Sequence, residues 1–509
     1  MRSLSALKNV IMSLAYEILL IAFGLVVPRL IIEAYGSEVN GLNSTVTQVL
    51  QILNLLQAGA VGASIFQMYK PVAEKDYYQV SRVIRSSQKY FFKIGTIFLV
   101  LVFILAPIMG FGLQSQLAVW EKVLAILILG LNGAFYFFFV SWFDILFSTH
   151  QKRFMLSVAG ILEKLVYYFL VFLIIFSKSH FAWLYVATLF GTCVKVVFLY
   201  VHYRRTFKPL LVDVGADPDF KIENRGYLLC NQIATQSIDA MPTVAITAVS
   251  GLASASVYTV YHLVQNMIRM VVRTLQLSVS EIFGNLMATE SKERVSHVYD
   301  LMEFIFFIVA GILCFCEAFL FLPFIYLYTD GNTMDVNYLF PALAQLIVLY
   351  DLFYCLYMPV YTLTNVCGLF KETYLQSVIC AVIAVLLSLG LGLLYWPLIL
   401  LGPAFYYFSS FLYRMVVAKK RVDWLKWPRL LRRTAVASGA IALSTTVSHL
   451  VYRQGYALGW LSWLGQAVLC GAVAVGVIGG YVILFERTQA RSVLRYAKNL
   501  IQKKVRRKE

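Results

Sequence analysis

Charge is scarce in this sequence: only 14% of its 509 residues are Asp, Glu, Lys or Arg, against about 25% in an ordinary globular chain. With 60% hydrophobic residues beside that, too little polar surface remains to coat water-facing domains, which excludes a soluble multidomain enzyme. The eight cysteines form no CxxC pair and have no His at ligand spacing, and the six histidines are scattered. No metal site and no cofactor is expected from them. No GxxxxGK[ST] run occurs, which removes a built-in nucleotide motor. No Ala-x-Ala site follows the apolar run that starts behind Arg2 and Lys8 and passes through Pro28 to Ile32, so that run reads as a membrane helix and not as a removable signal. Long β-barrel alternation is absent too, leaving helices as the way to satisfy the backbone in lipid.

What is present is an all-α polytopic pattern. Hydropathy places about fourteen membrane helices, near 9–33, 41–68, 91–111, 119–148, 155–177, 181–203, 226–250, 252–284, 299–327, 339–366, 373–394, 397–417, 433–452 and 460–485. The net charge of +17 would suit nucleic acid in a soluble protein, but its placement decides otherwise. With the N-terminus inside, the outer margins hold only Lys122, Lys178 and Arg453, and five basic residues (Arg29, Lys164, Lys195, Arg269, Arg273) fall within spans. Roughly 35 of the 43 Lys and Arg then share one side, which puts both termini on the cytoplasmic side of a plasma membrane and leaves no nucleic-acid partner. Seven of the eight Trp (Trp120, Trp183, Trp396, Trp424, Trp427, Trp460, Trp463) fall near span ends, as an aromatic belt requires. Residues 69–93 read as a basic amphipathic helix at the inner interface. The tail from Arg487, with Val493, Leu494, Ala497, Leu500, Ile501 and Val505 at helical spacing among basic residues, suits contact with anionic membrane lipids, or a solvated polybasic tail.

Landmarks recur along the chain at an offset of about 215 residues: Pro28 with Pro242, Gly36 with Gly251, and Lys152 with Lys371. Six helices separate the copies, so the two halves have the same orientation and are related by a pseudo-two-fold along the membrane normal. The expected organisation is an N-terminal lobe at 1–203, a cytoplasmic linker at 204–225, a second six-helix lobe at 226–418, two extra helices within 419–485, and a basic amphipathic tail at 486–509.

The informative residues are polar ones inside spans. In helix eight, His262, Gln265, Asn266, Arg269, Arg273, Gln276 and Ser280 fall at three- and four-residue steps on one face, with two guanidinium stems about 6 Å apart along the axis. Like charges so placed repel, and they suggest an anion. Helix two carries Ser44, Thr47, Gln51 and Asn54; helix one carries Asn9, Ser13, Glu17 and Arg29; helix seven carries Gln232, Thr235, Gln236, Asp239 and Thr243. These four helices correspond under the duplication and are expected around one polar cavity between the lobes. Pro28 and Pro242 each remove a helical hydrogen bond at matching places and make natural hinges. Glu17 and Asp239 are candidates for ion coupling. The competing reading is interhelical glue, since Ser, Thr, Asn and Gln commonly bond across membrane helices. Asp144, Glu163, Glu303, Glu317 and Asp351 also lie in spans but form no stripe; Glu163 is expected to pair with Lys164, and the others to act as structural partners or counter-ions.

The run VPRLIIEAYGSEVNGLNSTVTQVLQILNLLQAGAVGASIFQMYKPVAEKD, residues 27–76, resembles the opening of the polysaccharide-transporter branch of the multidrug/oligosaccharidyl-lipid/polysaccharide exporter superfamily, the Wzx-type flippases. Arg29, the Gly36 and Gly41 turn, the Gly59 and Gly62 pair and the YKP after helix two carry the likeness. The resemblance implies a non-enzymatic flippase that moves an undecaprenyl-diphosphate-linked oligosaccharide to the outer leaflet for capsule, O-antigen or teichoic-acid-like polymer assembly. It implies a polysaccharide polymerase and glycosyltransferases as partners. Arg29, Arg269 and Arg273 would then hold the diphosphate, and Gln51, Asn54, Gln236, His262, Gln265, Asn266 and Gln276 would line the sugar path.

Three rivals stand against it. A membrane polymerase or ligase needs a sizeable outer loop with chemistry, and the longest one, around 328–338, has no Arg, His or Lys. A cation-coupled multidrug exporter of the same superfamily would favour carboxylates and aromatics, since an arginine-lined lumen repels cationic drugs. A peptidoglycan-precursor (lipid II) flippase shares the anionic lipid cargo.

Overall fold

Hydrocarbon offers the peptide group no hydrogen bond, and the computed structural model is helical wherever the sequence is apolar. It describes residues 2–57, 60–150, 152–215, 225–289, 291–330, 334–421, 427–452 and 459–491. Arg453, Trp424, the middle of the 204–225 linker and the tail stripe beginning at Val493 lie outside the described residues. The helices run α1 (Arg2–Tyr35), α2 (Ser37–Leu53), α3 (Ala60–Glu74), α4 (Tyr77–Gly112), α5 (Val119–Phe135), α6 (Ser141–Thr149), α7 (Phe154–Phe176), α8 (Ala182–Thr206) and α9 (Arg225–Thr289). They continue with α10 (Lys292–Tyr328), α11 (Pro341–Val366), α12 (Phe370–Gly392), α13 (Leu401–Arg421), α14 (Trp427–Val451) and α15 (Trp460–Phe485). No strand occurs among the described residues. Among the described residues, eleven stretches are long and apolar enough to cross a membrane, one of them the double-length Cys230–Leu277 that covers most of predicted helices seven and eight. Large apolar side chains such as Phe111, Phe176, Leu394 and Leu461 are more than three-quarters exposed, tolerable for surfaces that face lipid. The chain is a multi-pass membrane protein.

Three boundaries differ from the sequence reading. Predicted helix two is interrupted: α2 stops at Leu53, a 3-10 turn covers Asn54–Gln57, and α3 begins at Ala60. The polar Asn54 and Gln57 sit in that turn, and Gln57 uses its side-chain oxygen to accept from Ser141 Oγ at 3.1 Å. The interfacial stretch after Asp76 is the first part of α4, because Asp76 caps the helix by accepting from Gln79 N at 3.0 Å and nothing breaks it before the span. Predicted helix four contains a π-turn at Tyr136–Val140 between α5 and α6.

Two compact units divide the chain, Met1–Thr259 and Val260–Glu509. In the first, Gly36 joins α1 to α2 at φ 84°, ψ 169°, and Gly251 kinks α9 at φ 84°, ψ 178°. Positive φ strains a residue with a Cβ, so glycine is what lets each helix end and restart without a loop. α2 packs on this kink: buried Asn40 Nδ2 donates to Ser256 Oγ at 2.8 Å, and the Thr45 and Thr247 hydroxyls share a hydrogen bond of 2.7 Å. A Cβ on Gly41 would fall inside the backbone carbonyl of Leu252. Further in, α7 and α8 are stapled by a buried ion pair. Lys195 Nζ donates to Glu163 Oε2 at 2.9 Å and to the Tyr136 hydroxyl at 2.9 Å, while Tyr136 donates to Glu163 at 2.7 Å. Lys164, the expected partner, does pair with Glu163 at 3.8 Å, and Lys195 from the next helix makes the closer contact.

In the second unit, α10 is the central helix, and α14 and α15 are fastened to it by ions. Arg433 donates to Glu303 at 2.6 Å and to Glu486 at 2.7 Å, all three almost fully buried. Arg432 reaches Glu486 at 3.0 Å and Arg429 reaches Asp300 at 2.9 Å. Higher up, Ser444 Oγ donates to the Phe315 carbonyl at 2.7 Å.

Two outcomes follow from these contacts. Gly41→Val is expected to cost about 1–3 kcal/mol, because the obstacle is backbone and cannot rotate away; unchanged thermal unfolding of the detergent-solubilised protein would show that α2 and α9 have room to part. Burial raises the Glu486 carboxyl, but hydrogen bonds and charge from Arg433 and Arg432 outweigh it and hold it below the ordinary value of 4.5. A depressed acid stabilises above its unfolded pKa and loses that contribution as pH falls through the folded one. Unfolding temperature should therefore drop below about pH 4.5, and this acid sensitivity should be smaller in Glu486→Gln.

Candidate functional site

The polar stripe of predicted helix eight lies on the second half of α9, and its two edges have different fates. Gln265 and Arg269, one turn apart, face α11. Gln265 Nε2 donates to Asp351 Oδ1 at 2.9 Å, and Arg269 Nε donates to the same oxygen at 3.0 Å. The Arg269 guanidinium carbon lies 4.1 Å from the Tyr350 ring centroid and 4.8 Å from that of Tyr354. Arg269 is 8% exposed and Asp351 fully buried, so this arginine is held from three sides. The other edge is open. Asn266 and Arg273 are exposed, His262 is half-buried and its Nδ1 shares a 3.1 Å hydrogen bond with Asn266 Nδ2. Arg273 makes no ion pair among the described residues. At the far end Gln276 donates to Ser280 at 2.9 Å.

The first unit holds the remaining predicted residues. Arg29, on α1, donates from Nε to Glu33 at 2.7 Å, and both side chains are partly exposed. Its charge is thus shared within its own helix one turn on. Glu17 is exposed on the same helix. Part of the helix-one stripe is glue: Asn9 Oδ1 accepts from Phe154 N at 2.8 Å, capping α7, and Ser13 meets Ser157 at 3.3 Å. On α2, Gln51 is exposed and Asn54 opens the 3-10 turn. On the first half of α9, Gln236 and Asp239 are half-buried and Pro242 is buried. Both Pro28 and Pro242 sit inside helices that run on through them.

Sequence reasoning assigned no role to α11. Asp351 was expected as a structural partner or counter-ion without a named cation; it is the counter-ion that positions Arg269, and Glu317 of α10 lies against it. The available signal was the cost of an ionised residue in a span, which demands a partner; it could not say which one. Arg414 was also missed as a membrane residue. It is 1% exposed in α13, donating to Thr364 Oγ1 at 2.9 Å and to Ser377 Oγ at 3.3 Å, with its guanidinium 5.2 Å from the Tyr361 ring.

No family model and no curated protein sequence matches the chain. Solved structures do. An inward-facing multidrug-resistance MATE family transporter of the MOP superfamily is similar with a TM-score of 0.65 at 14% identity, over 80% of this chain and 94% of that one. The lipid II flippase MurJ in an inward closed conformation is similar with a TM-score of 0.62 at 13% identity, over 94% of this chain and 99% of that one. A MOP superfamily transporter from Pyrococcus furiosus Vc1, described as having a binding pocket of reversed polarity, gives 0.55 at 14% identity over 83% and 94%. The chain therefore shares the fold of these solved MATE and MurJ structures.

The two arginines of α9 should respond differently to truncation. Arg269→Ala leaves a buried carboxylate without its cation and is expected to cost about 3–5 kcal/mol, whereas Arg273→Ala should stay within about 0.5 kcal/mol. Equal thermal stability of the two variants in detergent would show that the Asp351 contact does not hold α9 to α11.

Proposed function

We propose that the protein is a flippase for an undecaprenyl-diphosphate-linked oligosaccharide, carrying it from the inner to the outer leaflet for surface polysaccharide assembly. The observation that carries this reading is Arg273: a cation on a membrane helix, exposed on a polar stripe and without an ion-pair partner among the described residues. A diphosphate brings about two negative charges, and guanidinium pairs with phosphate bidentately. In this reading Arg273 makes first contact, Arg269 and Arg29 reach the diphosphate by exchanging their carboxylates for it, and His262, Asn266, Gln276, Gln51, Asn54 and Gln236 contact sugar. Two six-helix lobes, bounded at 203 and 226 and related by a pseudo-two-fold, rock about Pro28 and Pro242 around that path, with the polyprenyl tail left in lipid. Both termini are cytoplasmic, the basic tail rests on anionic lipids, and the cargo comes from glycosyltransferases and passes to a polymerase. An inside-negative potential helps an anion outward by about 2.3 kcal/mol per charge per 100 mV.

The MurJ likeness supports a lipid-diphosphate cargo, and it favours a second reading, a lipid II flippase, since it extends over 94% of the chain against 80% for the MATE transporter. The Pyrococcus protein, whose pocket polarity is described as reversed, supports the view that this fold carries cargoes other than drugs.

Arg273→Glu should insert normally, abolish surface polysaccharide and cause lipid-linked repeat units to accumulate; normal polymer would remove Arg273 from the cargo path. Mass spectrometry of the lipid that accumulates on depletion separates the readings. Lipid II with arrested growth supports the second, and unchanged lipids with reduced dye efflux support a drug exporter.

A further inference from the structure

Two acidic side chains meet inside the second unit. Asp351 of α11 is fully buried and Glu317 of α10 is 4% exposed. Their carboxyl groups are near enough for each to act on the other. Asp351 Oδ1 already accepts from Gln265 and Arg269, but Asp351 Oδ2 and both Glu317 oxygens have no donor among the described residues. Two ionised carboxylates and one guanidinium would leave a net negative charge in a membrane helix bundle, with the like charges in contact. One proton between the carboxyls supplies the missing donor and brings the three groups to neutrality.

The neighbours argue for a proton over a metal cation. From α9 come the Gln265 amide and the Arg269 guanidinium, both presenting N–H; from α10 and α11 come the thiols of Cys314 and Cys355, and the rings of Tyr350 and Tyr354. A hard cation would need several more oxygens than these groups offer and would sit beside a fixed positive charge. The next charged group on α10, Glu303, lies about 21 Å away along the helix and is occupied by Arg433.

We propose that Glu317 and Asp351 share one proton, and that a second proton enters when an anionic cargo draws Arg269 away from Asp351. The shared proton stands on the geometry alone; the second step rests on the cargo reading above. The balance is simple. With Arg269 on Asp351, the pair holds one proton and one negative charge, and the guanidinium neutralises it. When the diphosphate takes the guanidinium, the carboxylate left behind takes up a proton from water as it becomes a neutral acid. Cargo and proton therefore bind together, and affinity for a diphosphate rises as pH falls, by up to about tenfold per pH unit for one proton.

Two measurements on the full chain in lipid nanodiscs test this. The infrared difference between wild type and Glu317→Gln at neutral pH should show a protonated-carboxyl stretch in the wild type alone, because the Gln amide replaces the shared proton as donor to Asp351; its absence overturns the shared proton. Undecaprenyl diphosphate binding should tighten with falling pH in the wild type more steeply than in Glu317→Gln/Asp351→Asn, where neither group can titrate. Using one ligand cancels its own ionisation. Equal slopes overturn the linkage, while failure of the wild type to bind this lipid at any pH counts against the flippase reading and leaves the infrared result to decide the pair. A monodisperse, cooperatively unfolding Glu317→Gln protein establishes that its spectrum reports a folded site.

Discussion

An ionised side chain in hydrocarbon must bring its counter-charge with it, and that constraint organises the interior of this protein. The penalty for a lone charge at mid-membrane is about 2.5–3.5 kcal/mol even on the gentlest scales, and three buried ionic arrangements answer it. Lys195 and Glu163 close α8 on α7, Arg433 ties Glu303 to Glu486, and Arg269 sits on Asp351. Because a pair is directional where apolar packing is not, each also fixes the register of two helices. The ionic pairs thus do in lipid what the hydrophobic effect does in water: they decide which faces meet.

Against that background the treatment of α9 is unusual. One helix carries an arginine that is caged and, one turn on, another that is open. A purely structural stripe would have paired both, and a purely solvated one would have buried neither. The caged arginine is not inert either, since its carboxylate leans on a second carboxyl and its charge is balanced only if a proton is present. Anion recognition and proton occupancy are thereby made the same problem, solved by three side chains from three helices.

How much of this was legible in the sequence depends on range. The apolar segments could be read because hydropathy is a property of a window of about 20 residues; most of the fourteen expected segments fall on helices, the second is broken at Asn54, and eleven spans stand out among the described residues. The turns at Gly36 and Gly251 could be read as well, as landmarks repeated between the halves, and both glycines have positive φ. Long-range pairings could not be read. Glu163 pairs with adjacent Lys164 as expected, yet its closer partner is 32 positions away in Lys195, and Arg433 reaches Glu303 across 130. A carboxylate in a span announces that it needs a cation without saying which, and only packing chooses. The same holds for the interruption at Asn54, where polar residues looked like part of a stripe and are a 3-10 turn.

The π-turn at Tyr136–Val140 gives predicted helix four one residue more than its turns require. Each extra residue advances the face of a helix by about 100°, so the segments before and after it differ in their neighbours: both touch α4, but α5 lies against α8 and α2, and α6 against α3. Tyr136, at the start of the wide turn, is where the Glu163 and Lys195 pair takes its hydroxyl. The helix is in effect two gears on one shaft, cut with their teeth out of phase. A single deletion in this stretch would leave its composition and hydropathy unchanged while turning every residue of α6 to the wrong partner, so the length of this segment constrains the protein as much as the identity of its residues.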